Sequence, residues 1–354
     1  RRFLPERVLG VMDEMDLRSG YAIPGLVVTI YPDQTGEPAL AADGTIALRD
    51  VAADLGFPAT EVNGQFDLRL RHDPQHAWPQ LSMDFKLDAL RVHDRLVEPL
   101  RVTMQSIEDH RDWLEIKRLE GRIYDGALVG TGRLQLSEPG RMHFEITAQD
   151  ALFEPVLYPR GRKNGQPVED TGPPGRIDAS LSFSADRGSV ESREGRGEIA
   201  VRHASFYRFP VGMALLQMIN ISSPDEAFET ADISYVVRGD TLVLERVILD
   251  ASAERYKFRL VGRGELKYQT RAIDLALVSR NPAVRDLGVV SEMLSKVKDE
   301  LISVRITGTL DDPNANAESL SGLRDTWREL FGESDDEPDA RSDAGSQPPM
   351  TTSQ

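Results

Sequence analysis

The chain is 354 residues long, 40% hydrophobic and 28% charged, with a formal net charge of −16 and no cysteine. That charge argues against nucleic acid or an anionic membrane surface as the main partner, because both are met with clusters of lysine and arginine. The absence of cysteine removes disulfides, thiol nucleophiles and cysteine-ligated zinc, and no apolar run approaches the roughly 20 residues of a membrane-spanning helix.

Leu4, Val8 and Met12 recur at four-residue spacing, with Pro5 at a tolerated first-turn position, which predicts a short amphipathic helix over Pro5–Met15. Leu26-Val-Val-Thr-Ile30 is a β-branched strand run. From there to Ala148 the signal is alternation. Phe66, Leu68 and Leu70 fall on one face, as do Leu81, Met83, Phe85 and Leu87, with polar residues between them. Such strands belong to a sheet with one dry and one wet face. Leu134/Leu136 and Met142/Phe144/Ile146 flank Glu138-Pro-Gly140, a hairpin signature. Asp43-Gly44, Asn63-Gly64, Asp125-Gly126 and Gly239-Asp240 read as further turns. The spacing of these glycine-led strands is too uneven for a solenoid period, so the chain reads as a quasi-repeat of hairpins.

Residues 158–175 hold four prolines and four glycines without periodicity, and are expected to form a loop between two β regions, 1–157 and 176–331. Alternation resumes with Ile177, Ala179, Leu181 and Phe183. Glu198–Arg202 is a strand pattern, Phe209–Asn220 a compact apolar helix, and Ile233–Val237, Thr241–Leu249 and Tyr256–Val261 three strands. Gly262-Arg-Gly-Glu-Leu266 and Ile273–Leu277 close this stretch. Apolar residues at three- and four-residue spacing predict helices over 281–301 and 319–331. Residues 332–354 are acidic and rich in serine and proline, the composition of a disordered tail.

Gly195-Arg-Gly-Glu-Ile-Ala200 matches a dinucleotide fingerprint in letters only, since its glycines lead into a strand rather than a helix. They read instead as a tight turn into the sheet. His72 and His76 have the spacing of a helical metal pair, but Asp73-Pro74 lies between them. No hydrolase or phosphate-loop signature occurs, so the expectation is a non-enzyme without metal or cofactor. The aromatic positions Phe183, Tyr235, Tyr256 and Phe258 fit either an ordinary core or a long apolar groove left open for acyl chains. Side chains two apart share a face, so Ile199, Val201, Tyr235, Val237, Phe258 and Leu260 would be neighbouring rungs of that lining.

The order Gly195-Arg-Gly197, helix near Pro210, Gly262-Arg-Gly-Glu-Leu266, and Val304-Arg-Ile-Thr-Gly-Thr-Leu-Asp-Asp-Pro313 resembles the C-terminal region of the AsmA family of bacterial envelope proteins. Upstream the likeness continues as pattern at Gly64-Gln-Phe-Asp-Leu68 and Gly121–Gly126. The resemblance implies an elongated, curved, antiparallel β-groove with a few short helices at its ends and edges. It further implies a periplasmic chain whose inner-membrane anchor lies upstream of Arg1, carrying lipids between the inner and outer membranes. The alternative is an assembly scaffold that pairs exposed strand edges with envelope or outer-membrane β-proteins. A conduit needs the inner face accessible, whereas a scaffold needs it filled.

Overall fold

Strands dominate because the period-two pattern persists with few interruptions. The computed structural model describes residues 19–54, 58–92, 94–157, 175–204, 210–218, 229–253, 256–279 and 303–318. The strands are β1 (Ser19–Pro32), β2 (Pro38–Asp54), β3 (Pro58–His72), β4 (Gln80–Val92), β5 (Arg95–Ile107), β6 (His110–Ile123), β7 (Gly126–Gln135) and β8 (Arg141–Leu152). They continue as β9 (Arg176–Asp186), β10 (Glu194–Arg202), β11 (Thr230–Arg238), β12 (Thr241–Ala253), β13 (Tyr256–Lys267), β14 (Ala272–Ser279), β15 (Ser303–Gly308) and β16 (Pro313–Glu318). All sixteen form one sheet in sequence order. The sheet is open, curved and antiparallel, the fold class expected above. All of it but the last residue of β16 lies within one compact unit, Arg1–Ala317; of the second, Glu318–Gln354, only Glu318 is described.

Two helices are described, α1 (Phe153–Leu157) between β8 and β9 and α2 (Pro210–Met218) between β10 and β11. The second is the apolar helix expected over Phe209–Asn220. The helices expected over 5–15, 281–301 and 319–331 fall outside the described residues, as do the loop at 158–174 and the tail.

Three of the turn readings require correction. Gly44 and Gly64 sit inside β2 and β3, at φ 152° and 139°, not at turns. A side chain at Gly64 would run into the Lys86 carbonyl and the Leu87 Cα of β4. Gly195 and Gly197 likewise lie within β10 rather than in a turn leading to it, and Gly262 is interior to β13, which runs unbroken from Tyr256 to Lys267. The physical reason is common to all of them. The glycines stand where a neighbouring strand approaches too closely for a Cβ, so they mark close packing within the sheet rather than chain reversal.

Bulges bend the strands. Asp50 (φ 51°) and Asp150 (φ 54°) occupy register shifts in β2 and β8. Each bulge removes an amide from the ladder, and in each case a side chain on the next strand accepts it. Asp50 N–H donates to Asn63 Oδ1 at 3.0 Å and Asp150 N–H donates to Asp178 Oδ1 at 2.7 Å. A buried or strained backbone donor needs such a partner.

Polar ladders cover the outer face. Thr45 Oγ1 and Lys86 Nζ both donate to Asp67, at 2.6 and 3.0 Å, linking β2, β3 and β4. Arg305 forks onto Asp274 at 2.9 and 2.8 Å across β14 and β15. The Thr45 hydroxyl, then Lys86, hold the Asp67 carboxyl below its ordinary value of 3.8, and His76 does the same for Asp73. A carboxyl depressed by folding contributes stability above its unfolded pKa, and that contribution is lost as pH falls through its folded value. Thermal midpoints are therefore expected to stay level from about pH 7 to about pH 5 and to drop below about pH 4. A maximum on the acid side in a melting series would contradict this.

Candidate functional site

The register places inward-facing residues in rows that cross the sheet from β1 to β15. One row reads Pro24, Ile46, Phe66, Phe85, Val102, Leu119, Gly130, Ile146, Leu181, Gly197, Tyr235, Leu244, Gly264, Leu275 and Ile306, each directly opposite the next. At the usual strand separation it runs roughly 65 Å along the sheet. The residues between these on each strand, such as Asp67, Lys86, Glu145, Ser182 and Glu198, face the other way. The inner face is thus continuously apolar and the outer face polar.

Glycines punctuate these rows opposite large side chains. Gly132 faces Phe144, Gly195 faces Phe183, and Gly197 faces Tyr235. An inner face with alternating bulk and void can bend inward, which a uniformly bulky face resists. The Tyr235 ring uses the void over Gly197. Its hydroxyl reaches across β10 to donate to the Ser180 carbonyl of β9 at 3.0 Å, and burial pushes its pKa up to about 12. A Cβ at Gly197 would lie 2.7 Å from the Tyr235 ring carbon Cζ, well inside contact distance. Gly197→Val is expected to cost about 1–3 kcal/mol by overpacking. Tyr235→Phe should cost about 0.5–1.5 kcal/mol, the net worth of its hydrogen bond. Urea midpoints measure both, and a loss from Tyr235→Phe exceeding that from Gly197→Val would contradict the packing argument.

Burial divides this face in two. From β11 onward, and at Val201 near the end of β10, it is sealed: Leu260, Leu277, Val304 and Ile306 are fully buried, and Tyr235, Val237, Val247 and Leu275 are buried with them. Leu215 of α2 joins this cluster, and Phe153 and Val156 of α1 pack against it. Ile123 from the end of β6 and Leu310 beyond β15 rest on the same cluster, so the sheet curls over itself here. Arg95 at the start of β5 belongs to this closure, its Nε donating to the Val156 carbonyl of α1 at 2.9 Å.

From β2 to β10 the middle of the face stays half-buried, except at Val102 of β5, which is buried. Ile46, Phe66 and Phe85, then Leu119, Ile146 and Leu181, keep part of their surface in solvent. Flanking positions toward the strand ends, among them Leu70, Leu90, Leu114 and Met142, are buried. The half-buried middle forms a floor between buried flanks, and Phe85 and Leu119 of that floor pack against the buried cluster of Leu87, Leu100, Val102 and Ile116. Phe66 and Phe85 stack at the floor's centre, with ring centroids 4.7 Å apart.

The residues singled out from the sequence share this inner face, but not one environment. Phe183 and Ile199 are half-buried and belong to the accessible floor. Val201, Tyr235, Val237 and Leu260 are buried in the sealed part and line no open surface. Tyr256 and Phe258 stand opposite Ala253 and Ala251 in the register, and their side chains are outside the described residues. Sequence reasoning did not assign the floor of β2–β8 to the site, although Phe66, Met83 and Phe85 carry the same alternation. Of His72 and His76, the first ends β3, while the second lies in the following turn with Nδ1 2.5 Å from Asp73 Oδ1. No helix among the described residues is long and apolar enough to cross a membrane. No family model, curated protein or solved structure matches this chain.

Proposed function

We propose that the chain binds acyl lipids along the accessible floor of its inner face and guides them within a double-membraned cell envelope. The observation that carries this reading is the half-buried apolar stripe from β2 to β10, interrupted only by the buried Val102, flanked by buried residues and backed by a polar outer face. A contiguous apolar surface of this length costs free energy when left in water, and a chain-like apolar ligand covers it without needing directional contacts. The resemblance of Gly195–Pro313 to AsmA-like proteins supports the same role, with a periplasmic location and an inner-membrane anchor outside this chain. No residue of the floor is reactive, in keeping with transport or binding rather than catalysis.

Native mass spectrometry of the purified protein tests the reading. The expected result is a set of adducts with phospholipid or fatty-acyl masses that organic extraction removes. Protein that carries no lipid from cells and takes none from added vesicles would overturn it.

A further inference from the structure

β1 differs from every other strand. It contains no charged residue in 14 positions, whereas each of the other fifteen carries at least one. Five of the six exposed large hydrophobic residues among the described residues lie on it: Ile23 (56%), Val27 (68%), Val28 (53%), Ile30 (63%) and Tyr31 (39%). Its pairing with β2 puts Leu26, Val28 and Ile30 on the inner face and Ile23, Val27 and Tyr31 on the outer one. The outer face is polar elsewhere and turns apolar here. One edge of β1 is taken by β2, and the other has no strand beside it among the described residues. Protected edges carry charge, short length, proline, a bulge or inward-pointing lysine. β1 is long and has no charge; of these devices it has only Pro24, Pro32 and a register shift between Ser19 and Tyr21 near its start, which leaves residues 25–31 without one.

We infer that the open edge of β1 is a self-association site, at which a second copy of this chain adds its own β1 antiparallel around a two-fold axis. The sequence of the strand is self-complementary about Val27. Centring the pair there sets Val27 against Val27, Leu26 against Val28 of the second copy, Pro24 against Ile30, and Ile23 against Tyr31. Apolar meets apolar on both faces, and no charge opposes the approach. The axis runs perpendicular to the sheet, so both inner faces point the same way and the apolar floor continues across the junction. The exposed parts of five large side chains per copy and both backbone edges remove on the order of 1,000 Å² from water, at the lower end of specific interfaces. A lipid surface fits the strand less well, because its unpaired N–H and C=O groups would have no partner in hydrocarbon.

The chain has no cysteine, which makes the register directly testable. On a two-fold antiparallel pair the Cα atoms at the centre are about 4.5–5.5 Å apart, within disulfide reach. Val27→Cys is expected to cross-link into a dimer under mild oxidation. Val129→Cys, on an exposed outer-face position of β7, is expected to stay single. Light scattering should give the wild type twice the 39.4 kDa chain mass. Val27→Lys, which sets two like charges face to face, should weaken dimerisation at least about tenfold with an unchanged far-UV spectrum. Three results would overturn the inference: a wild type that stays at one-chain mass at its highest soluble concentration; a dimer that Val27→Lys leaves intact; or vesicle binding by a single copy that Val27→Lys removes. Lipid occupancy is read separately, so failure of this pairing leaves the floor-binding reading standing, and the converse holds.

Discussion

Leu260→Glu is expected to abolish cooperative folding. Leu260 is fully buried on β13, opposite Leu249 of β12, in one cluster with Val201, Leu277, Val304 and Leu215 of α2. Removing its side chain alone would cost about 2–5 kcal/mol. Placing a carboxylate there without a partner adds several more, since the group must either be desolvated as an anion or take up a proton. Against a total stability of about 5–15 kcal/mol for a domain, the sum leaves little or no folded protein. Loss of the urea transition and of near-ultraviolet dichroism would record it. A folded Leu260→Glu protein would mean that water reaches the β13 rung and that the sealed part is open.

Phe85→Glu should give the opposite outcome. Phe85 sits at the centre of the floor, half-buried and stacked on Phe66. Its replacement loses one aromatic pair and part of a ring's burial, about 1–3 kcal/mol, while the carboxylate keeps contact with water. The fold is expected to survive. Lipid binding is expected to fall about tenfold or more, because a solvated charge interrupts the apolar path at its midpoint. Retained lipid with retained fold would show that acyl chains do not run over this rung, and an unfolded Phe85→Glu protein would show that the floor is core.

The pair of substitutions also marks how far the sequence was legible. Alternation such as Leu81/Met83/Phe85/Leu87 determines the face of a strand, and short turns force neighbours to pair antiparallel, so an open meander follows from local pattern alone. Burial does not follow in that way. Phe183 and Leu260 carry the same alternating signal, yet one keeps solvent contact and the other has none, because α1, α2 and the curl of the last strands cover only the second. That covering depends on contacts between residues far apart in sequence, such as Ile123 with the β13–β15 cluster. The glycines differ from their turn-like sequence context for a related reason. Gly44 and Gly64 have the composition of a turn, but their positions are set by the approach of the adjacent strand, which only the register reveals. The charge-free β1 was visible as the apolar run Tyr21–Tyr31, and its exposure on both faces required the sheet.

Site-specific photo-crosslinking in living cells tests the central claim most directly. A photoreactive phenylalanine analogue at Met83, Phe85, Ile146 or Leu181 points along the floor, whereas one at Asp84, Lys86, Glu145 or Ser182 points outward from the same strands. Lipid adducts are expected at the first four positions and none at the second four, a pattern that switches with each single-residue step. Equal labelling of both sets, or none at the floor positions, would contradict it.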